Sequence, residues 1–139
     1  MFKNILVGLD GSEHAIKAAR MAGEFARCFG ANLWAVTCFD AVPAHLGQPY
    51  LQQAISERLA QANKILEPGL VEIGSIPGVL KTEILEGSPA EAILSVAETR
   101  SVDLIIMGTR GRGRLSGFVL GSQSQKVVAN SACPVLLVR

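Results

Sequence analysis

The 139-residue chain is 49% hydrophobic, contains 14 glycines and carries 13 basic and 12 acidic residues, for a formal net charge of +1. The length predicts one domain, residues 1–139, with a sizeable core, and the balanced charge argues against a partner made of nucleic acid or acidic membrane. No apolar run could span a membrane, no secretory signal is present and three scattered cysteines suggest neither disulfides nor metal, so we expect a cytoplasmic protein without membrane insertion.

The first half of the chain alternates apolar runs with helical patterns. Residues 4–9 predict a central parallel strand, residues 32–39 a second strand and residues 50–66 a second helix, which Pro68 and Gly69 are expected to end or bend. Between the two strands, Ser12 is expected to cap a helix that Gly30 ends. Its predicted buried face consists of Ala15, Ala18, Ala22, Phe25, Ala26 and Phe29.

The second half continues the alternation. Residues 80–85 predict a third strand, and Ser88, Pro89 and Glu91 form a capping-box pattern that opens a helix running to about residue 100. Residues 103–107 predict the fourth strand, residues 122–130 the last helix and residues 134–138 the fifth strand. This order predicts an α/β fold, with a parallel sheet, right-handed crossovers and helices on both faces.

A glycine-rich stretch, residues 108–122 with the sequence GTRGRGRLSGFVLGS, joins the fourth strand to the last helix. Glycines let a backbone approach a ligand closely, and the first amides of a helix have no partner within the helix. A strand, a glycine-rich turn and a helix start therefore predict a site for nucleotide phosphates. The alternative is a surface loop that needs glycine only for its turns.

Two standard phosphate motifs are absent from this stretch. A Walker A sequence would need Lys and Ser or Thr where Arg114 and Leu115 stand. A dinucleotide fingerprint that starts at Gly111 meets Ser116 in place of its third glycine, and it belongs after the first strand. The phosphate hypothesis therefore depends on another spacing.

That spacing is Gly108-x2-Gly111-x9-Gly121-Ser122, which resembles the ATP-binding signature of the universal stress protein family. The opening KNILVGLDGSEHA, the segment SPAEAI and the ending SACPVLLVR also resemble that family, so the resemblance covers nearly the whole chain. It implies a three-layer α/β/α, Rossmann-like fold with a five-stranded parallel sheet of order 3-2-1-4-5. Ligands of such sheets bind where the strand order reverses, here between strands one and four.

The resemblance implies ATP as the cofactor, with AMP or ADP as alternatives and Mg bound through the phosphates. Gly108 would border the ribose, and Gly111 would offer its amide to the phosphates. Gly121 and Ser122 would hold phosphate oxygens through their amides and the Ser122 hydroxyl. Gln123 departs from the small apolar residue or threonine usual in the family; its amide could still serve, but its side chain would alter the phosphate pocket.

On the nucleoside side, Asp10 would accept from adenine or ribose, or would be only a turn aspartate. Leu9 and Met107 would line the pocket. Cys38 matches the family position whose backbone reads the adenine edge, with a buried, inert thiol as the alternative. Arg110 belongs to the predicted site, although together with Arg112 and Arg114 it could equally be a solvated loop charge; His14 and His45 are interpreted as surface residues.

Three functions remain open. The first is a nucleotide-dependent regulator in stress response, in which ATP orders residues 110–121 for an unidentified regulatory protein partner. The second is a slow ATPase or a nucleotidyl transferase, which needs a base or metal ligand near the terminal phosphate, whereas Asp10 is the only carboxylate expected in the crevice. The third is a nucleotide-free dimerisation module. An apolar edge and the resemblance both predict a homodimer along the fifth strand, from Val135 to Val138.

Overall fold

The computed structural model describes residues 1–110 and 120–139. Within them, five strands alternate with four α-helices, and a short 3-10 turn, Ala44–Leu46, precedes the second helix. The elements in chain order are β1 (Asn4–Gly8), α1 (Glu13–Phe29), β2 (Asn32–Phe39), α2 (Tyr50–Ile73), β3 (Leu80–Glu86), α3 (Pro89–Thr99), β4 (Leu104–Gly108), α4 (Ser122–Asn130) and β5 (Val135–Val138).

The strands form one parallel sheet of order β3-β2-β1-β4-β5, as the family resemblance predicts. In the central strand, Val7 pairs with Ala35 on one side and Ile106 on the other. Two separate cores cover the faces of the sheet. Side chains of α1 and α2 fill one core, and side chains of α3 and α4 fill the other, which confirms the three-layer α/β/α arrangement.

Helix α1 lies close to the sheet because its buried face consists of small residues. Ser12 caps the helix by accepting from the Ala15 amide, and Gly30 ends it in the left-handed conformation, with φ of 63°. Both boundaries match the sequence prediction. Phe29, however, does not belong to the buried face: it is 40% exposed at the end of the helix, where its ring packs edge-on against Phe2.

Helix α2 continues to Ile73, seven residues beyond its predicted end. Pro68 lies inside it, so the expectation that the helix stops at residue 66 is wrong. The reason is tertiary packing: Leu66 and Ile73 are buried in the core shared with α1, on either side of the proline. Gly69 faces Leu9, and a Cβ at Gly69 would collide with that side chain. Burial of this face outweighs the cost of a proline within the helix.

Smaller differences affect strand ends. β1 ends at Gly8, β3 extends to Glu86, and β4 starts at Leu104 rather than at Asp103. The Asp103 carboxylate instead accepts hydrogen bonds from the amides of Lys3 (2.9 Å) and Asn4 (3.2 Å), where β1 begins. Across the described part of the chain, none of the helices is long and apolar enough to cross a membrane.

Candidate functional site

A pocket of about 480 Å³ opens at the carboxyl ends of β1, β2 and β4. This is where the sheet order reverses, because the chain adds β2 and β3 on one side of β1 and β4 and β5 on the other. Ligand pockets in proteins have volumes of about 300–1,000 Å³. Size and position both suit a small-molecule ligand of a parallel sheet.

The structure brings together nine of the ten residues predicted from the sequence. The residues that line the pocket include Leu9, Asp10, Cys38, Met107, Gly108, Arg110, Gly121, Ser122 and Gln123. The tenth, Gly111, lies outside the described residues, as do Arg112 and Arg114. The pocket therefore joins three stretches of sequence: the end of β1, the end of β2 and the segment that runs from β4 into α4.

Asp10 has a structural role that leaves part of its carboxylate available. Its Oδ1 accepts a hydrogen bond of 2.9 Å from the Ser12 amide, which stabilises the turn into α1. Within the described part of the chain, no group donates to the other oxygen, Oδ2. The turn role and an acceptor role toward a ligand are therefore compatible. Leu9, 4% exposed, contributes apolar lining beside it.

Cys38 lies near the end of β2, on the lining of the pocket. Burial raises the pKa of its thiol, and the negative charges of Asp40 and Asp10 raise that pKa further. The thiol is therefore held neutral at neutral pH, which makes it a poor nucleophile. This environment fits the alternative interpretation of Cys38 as an inert thiol, and recognition of adenine by its backbone stays a prediction.

Helix α4 begins at the pocket with Ser122. The Gly121 amide, which the resemblance assigns to a phosphate, donates to the Thr109 carbonyl oxygen at 2.8 Å in this structure. The first bond within the helix runs from Gln125 to Gly121. The amides of Ser122, Gln123 and Ser124 have no acceptor among the residues that the structure describes. Among the described residues, the unpaired amides at this helix start are therefore those of its first three residues, and the start of a helix is where anions are favoured.

Three hydrogen bonds hold Thr109, near the start of the glycine-rich stretch, to neighbouring elements. Its amide donates to the Val138 carbonyl oxygen (2.9 Å), and its carbonyl oxygen accepts from Gly121. Its hydroxyl is hydrogen-bonded to Nδ1 of His14 (2.9 Å) in the first turn of α1. His14 is half-buried and hydrogen-bonded, so it is a surface residue only in part. The bond between Thr109 and His14 joins positions 95 residues apart, and no local motif indicates it.

Three further helices contribute lining residues that the sequence prediction missed, and α1 supplies Ala15. Helix α3 supplies Pro89, Ala92 and Ile93. Helix α2 supplies Arg58, Gln61, Ala62 and Ile65. The α2 set has the i, i+3, i+4, i+7 spacing of one helix face, which is the signal that could have identified it.

The side chain of Gln123 reaches from α4 to the first turn of α3. Its Oε1 accepts a hydrogen bond of 3.0 Å from the Ala90 amide. Ser88 occupies the predicted N-cap position of α3, but in the described structure its hydroxyl makes no capping hydrogen bond, so the predicted capping box does not form. Gln123 thus satisfies an α3 amide in its place.

Comparison with known proteins gives one consistent result. The sequence matches the universal stress protein family over residues 1–139. It is 47% identical over 141 residues to a universal stress protein of Thermus aquaticus, with all of both chains covered. It is 34% identical over 149 residues to a universal stress protein of Methanocaldococcus jannaschii, with 100% of this chain and 83% of the relative covered.

Solved structures give the same picture. The fold resembles that of a universal stress protein from Lactobacillus plantarum, with a TM-score of 0.84, 29% identity and coverage of 99% and 98% of the two chains. Two more distant neighbours are universal stress proteins in complexes. One was solved with cAMP (TM-score 0.71, 23% identity, 99% and 97% covered). The other, from Archaeoglobus fulgidus, was solved with dAMP (TM-score 0.72, 18% identity, 100% and 98% of the two chains covered). By sequence and by fold, the chain belongs to the universal stress protein family.

Proposed function

We propose that this protein binds an adenine nucleotide, with ATP as the working ligand, and acts as a nucleotide-dependent regulator in stress response. The nucleoside would occupy the part of the pocket lined by Leu9, Asp10 and Cys38. The phosphates would extend to the first turn of α4. Binding, rather than turnover, is the function that these residues support.

The start of α4 is the observation that carries this proposal. Three consecutive amides, those of Ser122, Gln123 and Ser124, lie at the pocket without an acceptor in the described structure. Unpaired amides at a helix start carry partial positive charge and favour anions. Ser124 is itself fixed, because its hydroxyl donates to the Gly108 carbonyl oxygen at 2.9 Å. The subsite is therefore held against the end of β4 before a ligand arrives.

The remainder of the pocket suits a nucleoside. Its lining is largely apolar and includes Val36, Ile65, Ile93 and Met107, which offer contact to a flat base. Asp10 provides the acceptor oxygen that a ribose hydroxyl or an exocyclic amine requires. A mostly apolar pocket with a few polar groups that fix orientation is the usual form of a small-molecule site.

The complexes with cAMP and dAMP support an adenine nucleotide, although those neighbours are similar to this chain in fold only. ATP and Mg are the finer parts of the proposal. The described residues contain no group of three or more His, Cys, Asp or Glu side chains that could hold a metal ion. A magnesium ion would therefore be bound mainly through the phosphate oxygens, as is common for this ion.

Calorimetric titration with ATP tests the proposal through Ser122→Asp. Ser122 is exposed at the first position of α4, where an acidic side chain stabilises a helix by about 0.3–1 kcal/mol. The added charge would nevertheless repel phosphate, so we expect ATP affinity to fall at least about tenfold. Ser75→Asp, at an exposed serine away from the pocket, is the matched control.

Unchanged ATP affinity in Ser122→Asp would refute the phosphate assignment. Mass spectrometry of ligand released from the purified protein would then separate ATP from ADP and AMP. We expect an adenine nucleotide that carries at least one phosphate.

A further inference from the structure

Gln123 is a pocket-lining residue whose side-chain carboxamide is held by a hydrogen bond to α3. A backbone N–H can only donate, so the Gln123 atom that faces the Ala90 amide must be the carbonyl oxygen Oε1. Because the carboxamide is planar, its NH2 group, Nε2, then points away from the Ala90 amide. In the part of the chain that the structure describes, nothing accepts a hydrogen bond from Nε2. Gln123 itself lines the pocket.

The contact with α3 fixes this orientation. Ala90 is the second residue of α3, so its amide has no partner within that helix. Ala90 is 1% exposed, and Ser88 does not cap the helix, so solvent and the usual cap are both unavailable to this amide. Reversal of the Gln123 carboxamide would leave the Ala90 amide unsatisfied, which is costly for a buried donor.

We propose that Nε2 of Gln123 donates a hydrogen bond to a phosphate oxygen of the bound nucleotide. The proposal rests on the function proposed above and assigns the Gln123 side chain to the phosphate subsite, beside the first three amides of α4. An apolar residue at this position would leave the amides as they are and remove the side-chain donor. Gln123 would therefore favour ligands that carry phosphate over the free nucleoside.

If Gln123 served only to cap α3, Gln123→Glu would bind ATP as well as wild type, whereas our proposal predicts weaker binding. In Gln123→Glu, the carboxylate can still accept from Ala90, and an acidic group at the start of both α3 and α4 is favourable. The same carboxylate has no hydrogen to donate and repels phosphate. We therefore expect thermal stability that is equal to or above that of wild type, together with weaker ATP binding.

The experiment measures ATP affinity by calorimetry, adenosine affinity by NMR titration and the midpoint of thermal unfolding. Gln123→Met removes the donor without adding charge, and we expect ATP affinity to fall about 10- to 100-fold, the usual effect of a hydrogen bond to a charged group. We expect a larger loss in Gln123→Glu and unchanged adenosine affinity in both variants. The isosteric control is Gln52→Glu, in the first turn of α2 and exposed outside the pocket.

The results separate the two proposals. If wild-type protein binds ATP and both Gln123 variants bind it equally well, the role of Nε2 is refuted while the nucleotide proposal stands. A parallel loss of adenosine affinity would also refute it, because the side chain would then act on the whole pocket. Absence of ATP binding in the wild-type protein would refute both proposals.

Discussion

Gly108 is needed for a reason that its place in a glycine signature does not reveal. It is the last residue of β4, and α1 begins directly against it. A Cβ at this position would lie 2.7 Å from the Cβ of His14 and 3.0 Å from the His14 carbonyl carbon. Because backbone atoms are involved, the first turn of α1 would have to move. The glycine thus sets the position of one wall of the pocket.

Gly108→Ala is therefore expected to lower the free energy of unfolding by about 1–3 kcal/mol, the usual cost of overpacking. Gly8→Ala is the matched control at the end of β1. There the added Cβ would lie 2.8 Å from Cδ1 of Ile93, the tip of a flexible side chain that can turn away. Urea unfolding of both variants gives the comparison. Equal losses of stability would contradict the argument that α1 depends on Gly108.

At the scale of single residues, the sequence predicted the residues that line the pocket better than the contacts that hold those residues in place. Asp10 and Ser122 follow from the ends of a strand and the start of a helix, which are local patterns. The bond between His14 and Thr109 depends on how α1 packs against β4, and no pattern within either segment encodes it. The capping of α3 by Gln123 depends likewise on the approach of α4.

At the scale of elements, the sequence prediction agrees with the structure where local features set a boundary and differs where long-range packing sets it. The bounds of β2 and α4 agree with the prediction, because an apolar run and a helix start are local features. The end of α2 differs, because Leu66 and Ile73 gain burial in the core shared with α1. Long-range packing of this kind overrides the local signal of Pro68 and cannot be judged from the sequence around it.

Pro68 gives a direct test of this balance. A proline within a helix costs roughly 3 kcal/mol relative to alanine, partly because it cannot donate to the carbonyl four residues earlier. That carbonyl belongs to Lys64, and Pro68 is exposed. Pro68→Ala should restore the bond. Proline also lowers the conformational entropy of the unfolded chain, which stabilises the folded state by about 0.4–1 kcal/mol. Subtracting this from the cost within the helix, we expect a net gain of about 2–2.6 kcal/mol in unfolding free energy.

The measurement is the midpoint of urea unfolding, with Glu67→Ala as the control. Glu67 is the exposed neighbour in the same turn, and a substitution there should change stability by no more than about 0.5 kcal/mol. If Pro68→Ala were no more stable than Glu67→Ala, α2 would already accommodate the proline at little cost.

At the scale of the whole molecule, the alternation of elements predicts a parallel sheet, but it does not fix the strand order. The order came from the family resemblance and is confirmed. It has two consequences. The reversal at β1 creates the pocket, whose described lining draws on β1, β2, β4 and four α-helices. It also leaves β3 and β5 as the two edges of the sheet.

These edges differ in character. β3 carries the exposed polar residues Lys81 and Thr82, which discourage pairing with another chain. β5 has the sequence VLLV, and all four residues are only partly buried. An apolar strand that remains partly exposed at an edge favours association. We therefore propose that the protein forms a homodimer along β5.

The backbone pattern identifies a residue that tests this dimer. Ile105 donates to Pro134 and Thr109 donates to Val138, so the alternation of a parallel ladder directs the Leu137 amide away from β4, toward the open edge. Leu137→Pro would remove that outward donor, and we expect light scattering after gel filtration to give a monomer. Leu137→Ala trims the same side chain but keeps the amide, so it should remain a dimer. A dimer that persists in Leu137→Pro would place the interface elsewhere on the molecule.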